Sequence, residues 1–270
     1  MQQELREYYL QLLGLQRRKP GLDALHELVR AHLMRVPFEN ISKLYYKKHL
    51  GLQSLPSLEL FLNGIDQFNF GGTCYANNYY LYQLLTSLGY QTMLCGADMS
   101  NPDVHLVSIV TVEKQEYIVD GGYAAPLLTP LPRNLATDYV IELGQDRYVL
   151  KPQDTRGCSR LELYREGNLK HGYLVKPVSR KIQDFKSVIS ASFREEATFM
   201  NALLLARFFP DRSLVVHNLT VIEARGATSN FRTLASQDEL VQEIAEGFGI
   251  PKEITLDVVN DLGRLEDAWS

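Results

Sequence analysis

The chain has 270 residues, 45% of them hydrophobic and 22% charged, with a formal net charge of −4. That length can bury a large core and share it among two or three packed units, and the composition is that of an ordinary globular chain. The charge balance lacks the basic face of a nucleic-acid binder, and no run approaches the ~20 apolar residues of a membrane span.

The opening Met-Gln-Gln-Glu-Leu-Arg-Glu has no apolar signal core, so a cytoplasmic protein is expected. Three cysteines, Cys74, Cys95 and Cys158, are an odd number without CxxC spacing. A disulfide framework is therefore not expected, and neither is a metal site, since no His/Cys/Asp cluster has ligand spacing.

Residues 1–89 read as helical. Leu5, Tyr8, Tyr9, Leu12 and Leu13 recur at helical spacing, with Gly14 as the stop. Asp23 is placed as the cap of a second helix with Leu25, Leu28, Val29 and Leu33 on its apolar face, and Pro37 ends it. Pro56-Ser57 opens a third, and a longer helix after Gly71-Gly72 carries Leu81, Leu84, Leu85 and Leu88 up to Gly89. From Tyr90 the period changes to two, with strands expected at 91–97, 104–111, 116–120, 138–143, 147–151 and 160–164, a small antiparallel sheet or barrel. Beyond about residue 188 the pattern mixes: a helix is expected at 193–206, strands at 213–223 and a helix at 237–247 stopped by Gly247.

One segment carries chemistry. Gly71-Gly72-Thr73-Cys74 puts a cysteine at the start of a predicted helix, where unpaired N–H groups and partial positive charge favour a thiolate. A lone cysteine is more commonly a small buried hydrophobe, so the functional reading needs a base and an orienting group. His105, in an apolar strand, is the best base, and Asp120, ending the next strand, is the best orienting carboxylate. Both have structural alternatives: a satisfied core histidine and a turn aspartate. If residues 113–116 form the hairpin tip, His105 and Asp120 are four residues out of register, roughly 13 Å apart. A tip at 111–114 pairs them directly. Both registers keep the two side chains on one face, because the offset is even, and the shifted register is the one expected here.

Taken together, these segments resemble the arylamine N-acetyltransferases. The carriers are Tyr9-Leu10-Gln11-Leu12-Leu13-Gly14, Val36-Pro37-Phe38-Glu39-Asn40-Ile41, Gly71-Gly72-Thr73-Cys74 with Asn78, Val104-His105-Leu106, Ile118-Val119-Asp120-Gly121-Gly122-Tyr123, and the tail Phe231-Arg232-Thr233-Leu234 with Asp238-Glu239-Leu240. The resemblance implies an α+β chain with a papain-like cysteine-proteinase core. Its parts are an N-terminal helical bundle (1–89), a middle antiparallel β-barrel (90–188) and a C-terminal α/β lid (189–270). It implies a Cys74-His105-Asp120 triad working by ping-pong through an acetyl-cysteine, with acetyl-coenzyme A as donor and an aromatic amine, hydrazine or N-hydroxyarylamine as acceptor. By the same resemblance Phe38, Tyr75, Tyr123 and Phe199 are candidate acceptor walls, each readable also as core packing, and Gly122, Tyr123 and Ala124 are candidate coenzyme A contacts. A monomer or weak homo-oligomer is expected.

Three positions depart from the family pattern. Leu12 and Phe70 stand where arginines are expected beside Glu39, and Ala124 stands where a glycine is expected. Glu39 must then find another donor, turn outward or stay protonated, because a buried charge without a partner costs several kcal/mol. Two other readings share the same residues: a cysteine hydrolase or amide synthase on this scaffold, and a non-catalytic acyltransferase-like binding protein.

Overall fold

In the computed structural model, which describes residues 1–262, the chain opens with five helices: α1 (Gln3–Leu12), α2 (Leu22–Arg35), α3 (Ile41–Leu50), α4 (Leu58–Phe68) and α5 (Cys74–Leu88). A two-residue strand, β1 (Phe38–Glu39), lies between α2 and α3. The apolar stripes read from the sequence are the buried ones: Leu25, Leu28, Val29 and Leu33 in α2, and Leu81, Leu84, Leu85 and Leu88 in α5. The Ser57 hydroxyl caps α4 by accepting from the Leu60 N–H, and Gly89 ends α5 in the left-handed region at φ 95°. The cap of α2 is Gly21 rather than Asp23, which sits in the first turn where a carboxylate complements the helix dipole. Helix α3 was not legible, because its Lys and Tyr residues blur the apolar period.

An eight-stranded antiparallel sheet follows, built from β2 (Gln91–Asp98), β3 (His105–Val112), β4 (Gln115–Val119), β5 (Leu131–Pro132), β6 (Tyr139–Leu143), β7 (Asp146–Leu150), β8 (Ser159–Arg165) and β9 (Asn168–Ser179). Its spatial order is β5-β4-β3-β2-β9-β8-β7-β6. Strand β3 is buried along nearly its whole length, because α5 packs against it and β2 and β4 flank it. Strand β9 had no signal in the period-two reading.

A short 3-10 turn (182–185) leads into α6 (Lys186–Ala191) and α7 (Thr198–Asn201), then β10 (Leu204–Phe208), β11 (Arg212–His217), β12 (Thr220–Arg225) and β13 (Thr228–Thr233). The expected helix over 193–206 is corrected here. Only Thr198–Asn201 is helical, and the last three residues of the expected helix, Leu204, Leu205 and Ala206, open β10 and are buried because β10 lies between β1 and β11. A continuous apolar run of that length reads equally as buried helix or buried strand. The chain ends its described part with α8 (Gln237–Phe248) and α9 (Lys252–Leu262). The left-handed cap of α8 is Gly249 at φ 74°, not Gly247, which stays inside the helix with its carbonyl accepting from Arg207.

The architecture is the α+β type expected, and two sheets share its cores. One core joins α1, α2, α4 and α5 to the eight-stranded sheet. A second joins α3 to the five-stranded sheet and to α8 and α9, through Ile41, Leu44 and Phe70 on one side and Leu214, Ile244 and Val258 on the other.

Candidate active site

Cys74 is the first residue of α5, with Thr73 as its N-cap in extended backbone. The early N–H groups of a helix lack intrahelical partners, so the thiol sits beside a concentration of N–H donors. The loop before it is held by β1. The Glu39 N–H donates to the Gly72 carbonyl at 3.1 Å, and Asn77 donates to the Pro37 carbonyl at 3.1 Å. Gly71 is required by close approach, since a Cβ there would fall 1.9 Å from the Pro37 carbonyl oxygen.

Glu39 is fully buried, so it does not turn outward. Its carboxyl accepts from the Ser42 N–H at 2.8 Å and the Gly71 N–H at 3.0 Å. Backbone amides take the place that arginines were expected to fill. Burial raises the carboxyl's pKa, and these N–H donors only partly offset it.

Hairpin β3–β4 brings His105 and Asp120 together. Its register lies between the two considered from sequence: Val112 faces Gln115, and the tip is Glu113-Lys114, with φ 52° and 66°. Paired positive φ values define a two-residue turn matched to strand twist, more commonly encoded by Asn-Gly, which is why Glu-Lys gave no signal. Direct pairing of His105 with Asp120 is therefore corrected. The last ladder pair is Ser108 with Val119, so Asp120 falls two residues short of register with His105, still on the same face. The diagonal is closed by side chains, with His105 Nε2 at 2.8 Å from Asp120 Oδ2.

The other oxygen of Asp120 is fixed too. Its Oδ1 accepts from Asn78 Nδ2 at 2.8 Å and from the Gly122 N–H at 2.9 Å. Asn78 also donates to the Leu106 carbonyl and accepts from the Gly121 N–H, tying α5, β3 and the Asp120 corner together. Burial alone would raise the Asp120 carboxyl, but His105, Asn78 and Gly122 hold it below its ordinary range. Burial alone would likewise lower the His105 imidazole. The Asp120 carboxylate, followed by Cys74, raises it instead. His105 Nδ1 is buried without a conventional partner among the described residues, which leaves that nitrogen for the thiol.

The expected wall residues separate into two groups. Tyr123 lies beside His105, ring centroids 5.9 Å apart, and Phe38 meets Phe199 edge-on at 5.7 Å. Tyr75 packs with Leu94, Leu106 and Phe185, and its hydroxyl donates to the Asp103 carbonyl. Gly122 packs on Cys74 itself, where a Cβ would fall 2.7 Å from the Cys74 Cα. Ala124 has φ 58°, a left-handed conformation that suits the glycine expected there better than an alanine. Sequence reasoning missed Tyr173 and His171. The Tyr173 ring lies 5.1 Å from that of His105, and His171 Nδ1 is 2.9 Å from the Tyr123 hydroxyl. Both come from β9, which was not foreseen. Among the described residues no group of His, Cys, Asp and Glu is arranged to hold a metal, and no helix is long and apolar enough to cross a membrane.

Comparison with known proteins places these features in context. A family profile described as N-acetyltransferase matches residues 21–256. Arylamine N-acetyltransferase 2 of Mus musculus is 26% identical over 211 residues, covering 67% of this chain and 70% of that protein. The pineal gland arylamine N-acetyltransferase isozyme NAT-3 of Gallus gallus is 33% identical over 129 residues, a match that spans less than half of either chain, at 44% and 43%. The solved arylamine N-acetyltransferase of Salmonella typhimurium shares the fold at a TM-score of 0.78 and 18% identity, covering 97% of this chain and 100% of that one. That of Mycobacterium marinum, solved in complex with CoA, does so at 0.77 and 22%, covering 97% and 96%.

Proposed function

The chain belongs to the N-acetyltransferase family whose profile spans residues 21–256, and on that premise we propose that it moves an acetyl group from acetyl-coenzyme A to the nitrogen of an arylamine, arylhydrazine or N-hydroxyarylamine. The observation that carries this reading is the 2.8 Å contact between His105 and Asp120 beside a thiol on the first residue of α5.

The chemistry follows from those positions. A free thiol is mostly protonated at neutral pH and is a poor nucleophile in that form. His105 Nδ1 takes the proton of Cys74, and the imidazolium is stabilised by Asp120, which also fixes the ring. The sulfur attacks the carbonyl carbon of the thioester. The bond to the coenzyme A sulfur breaks, that sulfur leaves with the proton held on His105, and the acetyl group rests on Cys74. The amine nitrogen then attacks the acetyl carbon, its proton passes to His105, and the Cys74 sulfur is released. Charge on the carbonyl oxygen in both steps is met by backbone N–H groups of the first turn of α5, that of Cys74 first.

Acceptor recognition is assigned to Phe38, Phe199 and Tyr123, whose rings offer flat apolar walls and exclude water from the thioester intermediate. Tyr75 is assigned a supporting place, and the backbone at Gly122, Tyr123 and Ala124 the approach of coenzyme A. The division at 89/90 and 188/189 into bundle, barrel and lid, a cytoplasmic location and a monomer or weak homo-oligomer complete the proposal.

Intact mass spectrometry after incubation with acetyl-coenzyme A is the direct test. The expected result is a gain of one acetyl group, absent in Cys74→Ala and discharged by an arylamine. No adduct on the unaltered protein overturns the reading, and rapid discharge without amine turns it into a hydrolase.

A further inference from the structure

Lys43 stands out among the residues that the reaction above does not use. It lies on α3, four residues after Glu39, yet it is only 8% exposed. Its ammonium donates to the Ser192 carbonyl at 2.5 Å and to the Ser192 hydroxyl at 2.9 Å, and it sits 4.3 Å from the centroid of the Phe193 ring. Neighbouring Lys47 donates to the Phe193 carbonyl at 2.8 Å. The two lysines thus cap the carbonyl end of α6. No carboxylate pairs with Lys43 among the described residues, and burying a cation against neutral acceptors alone is costly.

The same side chain lines a small cavity whose wall includes Gly72 and Thr73, the two residues before the nucleophile. The remaining wall is hydroxyl or apolar, from Tyr46, Ser54, Leu55, Tyr75 and Ile189 among others, so among the described residues Lys43 is the only charged side chain facing that space. We propose that Lys43 is a positioning residue for Cys74: its buried charge, set behind the nucleophile loop, favours the thiolate from the side opposite to the backing that Asp120 gives His105. The proposal rests on the acetyl-cysteine reading and deepens it. Burial lowers the Lys43 ammonium to about 8, and the one group that favours its charge is Cys74. The titratable groups facing this pair are His105 with Asp120 on the barrel side, Tyr75 on α5, and Tyr46 and Lys47 on α3.

The test is the pH dependence of Cys74 alkylation by iodoacetamide, followed by intact mass in the full chain, for the unaltered protein, Lys43→Gln, Lys43→Arg and Lys47→Met. Lys43→Gln keeps a donor to Ser192 and loses the charge. Its midpoint is expected to rise by about half to one pH unit, at the low end of what an opposite charge does. Lys43→Arg is expected to restore the midpoint, and Lys47→Met, which weakens the α6 clamp and removes the like charge beside Lys43, not to raise it. If Lys43→Gln does not fold, Lys43→Met replaces it. Coincident midpoints for Lys43→Gln and the unaltered protein overturn the proposal, as does an equal shift in Lys47→Met. Alkylation of the unaltered protein at pH 6 no faster than a free thiol overturns instead the reading on which it rests.

Discussion

At the residue scale, the proposed chemistry needs Asp120 held in place, and Asn78 is the side chain that ties it down. Its amide makes three hydrogen bonds of 2.7 to 2.8 Å, to the Leu106 carbonyl, to Asp120 Oδ1 and from the Gly121 N–H. Asp120 is two residues out of register with His105, so the strand ladder alone does not orient it. Asn78→Ala is expected to cost about 3 kcal/mol of stability, since buried partners are left unpaired. It is also expected to slow acetylation of Cys74 by about tenfold or more, because Asp120 then loses the aim that holds the imidazole. Single-turnover stopped flow with acetyl-coenzyme A measures the second effect; an unchanged rate would show that Gly122 suffices. Much at this scale was legible. The setting of Cys74 followed from two glycines before a helix, and His105 and Asp120 from their places on adjacent strands. The satisfaction of Glu39 was not legible, because its donors are backbone N–H groups that any residue carries.

At the scale of elements, helices were read from apolar stripes and strands from alternation, and both failed where burial was two-sided or absent. Strand β10 is buried along most of its length and looked helical, and β13 is largely exposed and carried no strand signal. The packing of α1 on α2 contains a polar contact with a measurable consequence. His32 is fully buried on α2, and its Nδ1 lies 3.1 Å from the Tyr9 hydroxyl of α1. Its ring also backs the Asp120 corner, where a Cβ on Gly121 would fall 2.9 Å from His32 Cδ2. Burial lowers the His32 imidazole from 6.5 to about 3. The unfolded chain therefore takes up a proton near pH 6.5 that the folded chain refuses until about pH 3. This residue's contribution is whole above pH 6.5 and is lost as pH falls below it, by about 1.4 kcal/mol per unit. His32→Gln lacks that proton uptake. Between pH 7 and pH 4.5 the stability gap between the unaltered protein and His32→Gln is expected to change by roughly 2–3 kcal/mol in favour of the variant. Urea unfolding at the two pH values measures it, and a constant gap would mean that His32 takes up its proton at the same pH in the native and the unfolded chain.

At the scale of the whole molecule, the segment between α2 and α3 ties the five-stranded sheet to the loop that carries Cys74. Phe38 and Glu39 form the edge strand of the five-stranded sheet and also bond the loop that carries Cys74. Asn40, fully buried, extends the joint: its Nδ2 donates to the Phe199 and Ala202 carbonyls at 2.9 and 2.7 Å, and its Oδ1 accepts from the Leu204 N–H at 3.0 Å. The second core is likewise shared, with α3 and Phe70 packed against residues beyond 200. A chain joined in this way is expected to unfold in one cooperative step, without early release of its C-terminal sheet. Asn40→Ala removes three buried hydrogen bonds, so its urea midpoint is expected to fall by an amount equal to about 3 kcal/mol. Phe199 loses one of the bonds that hold its backbone beside Phe38, so the acceptor KM is expected to rise several-fold. Acetylation of Cys74, which needs neither ring, is expected to keep its single-turnover rate. Circular dichroism and tyrosine fluorescence through the same urea series follow the transition, and steady-state and single-turnover kinetics separate the two halves of the reaction. Two transitions in the unaltered protein, or an acetylation rate that falls with the acceptor affinity, would show that the five-stranded sheet and the nucleophile loop are joined by something other than this segment.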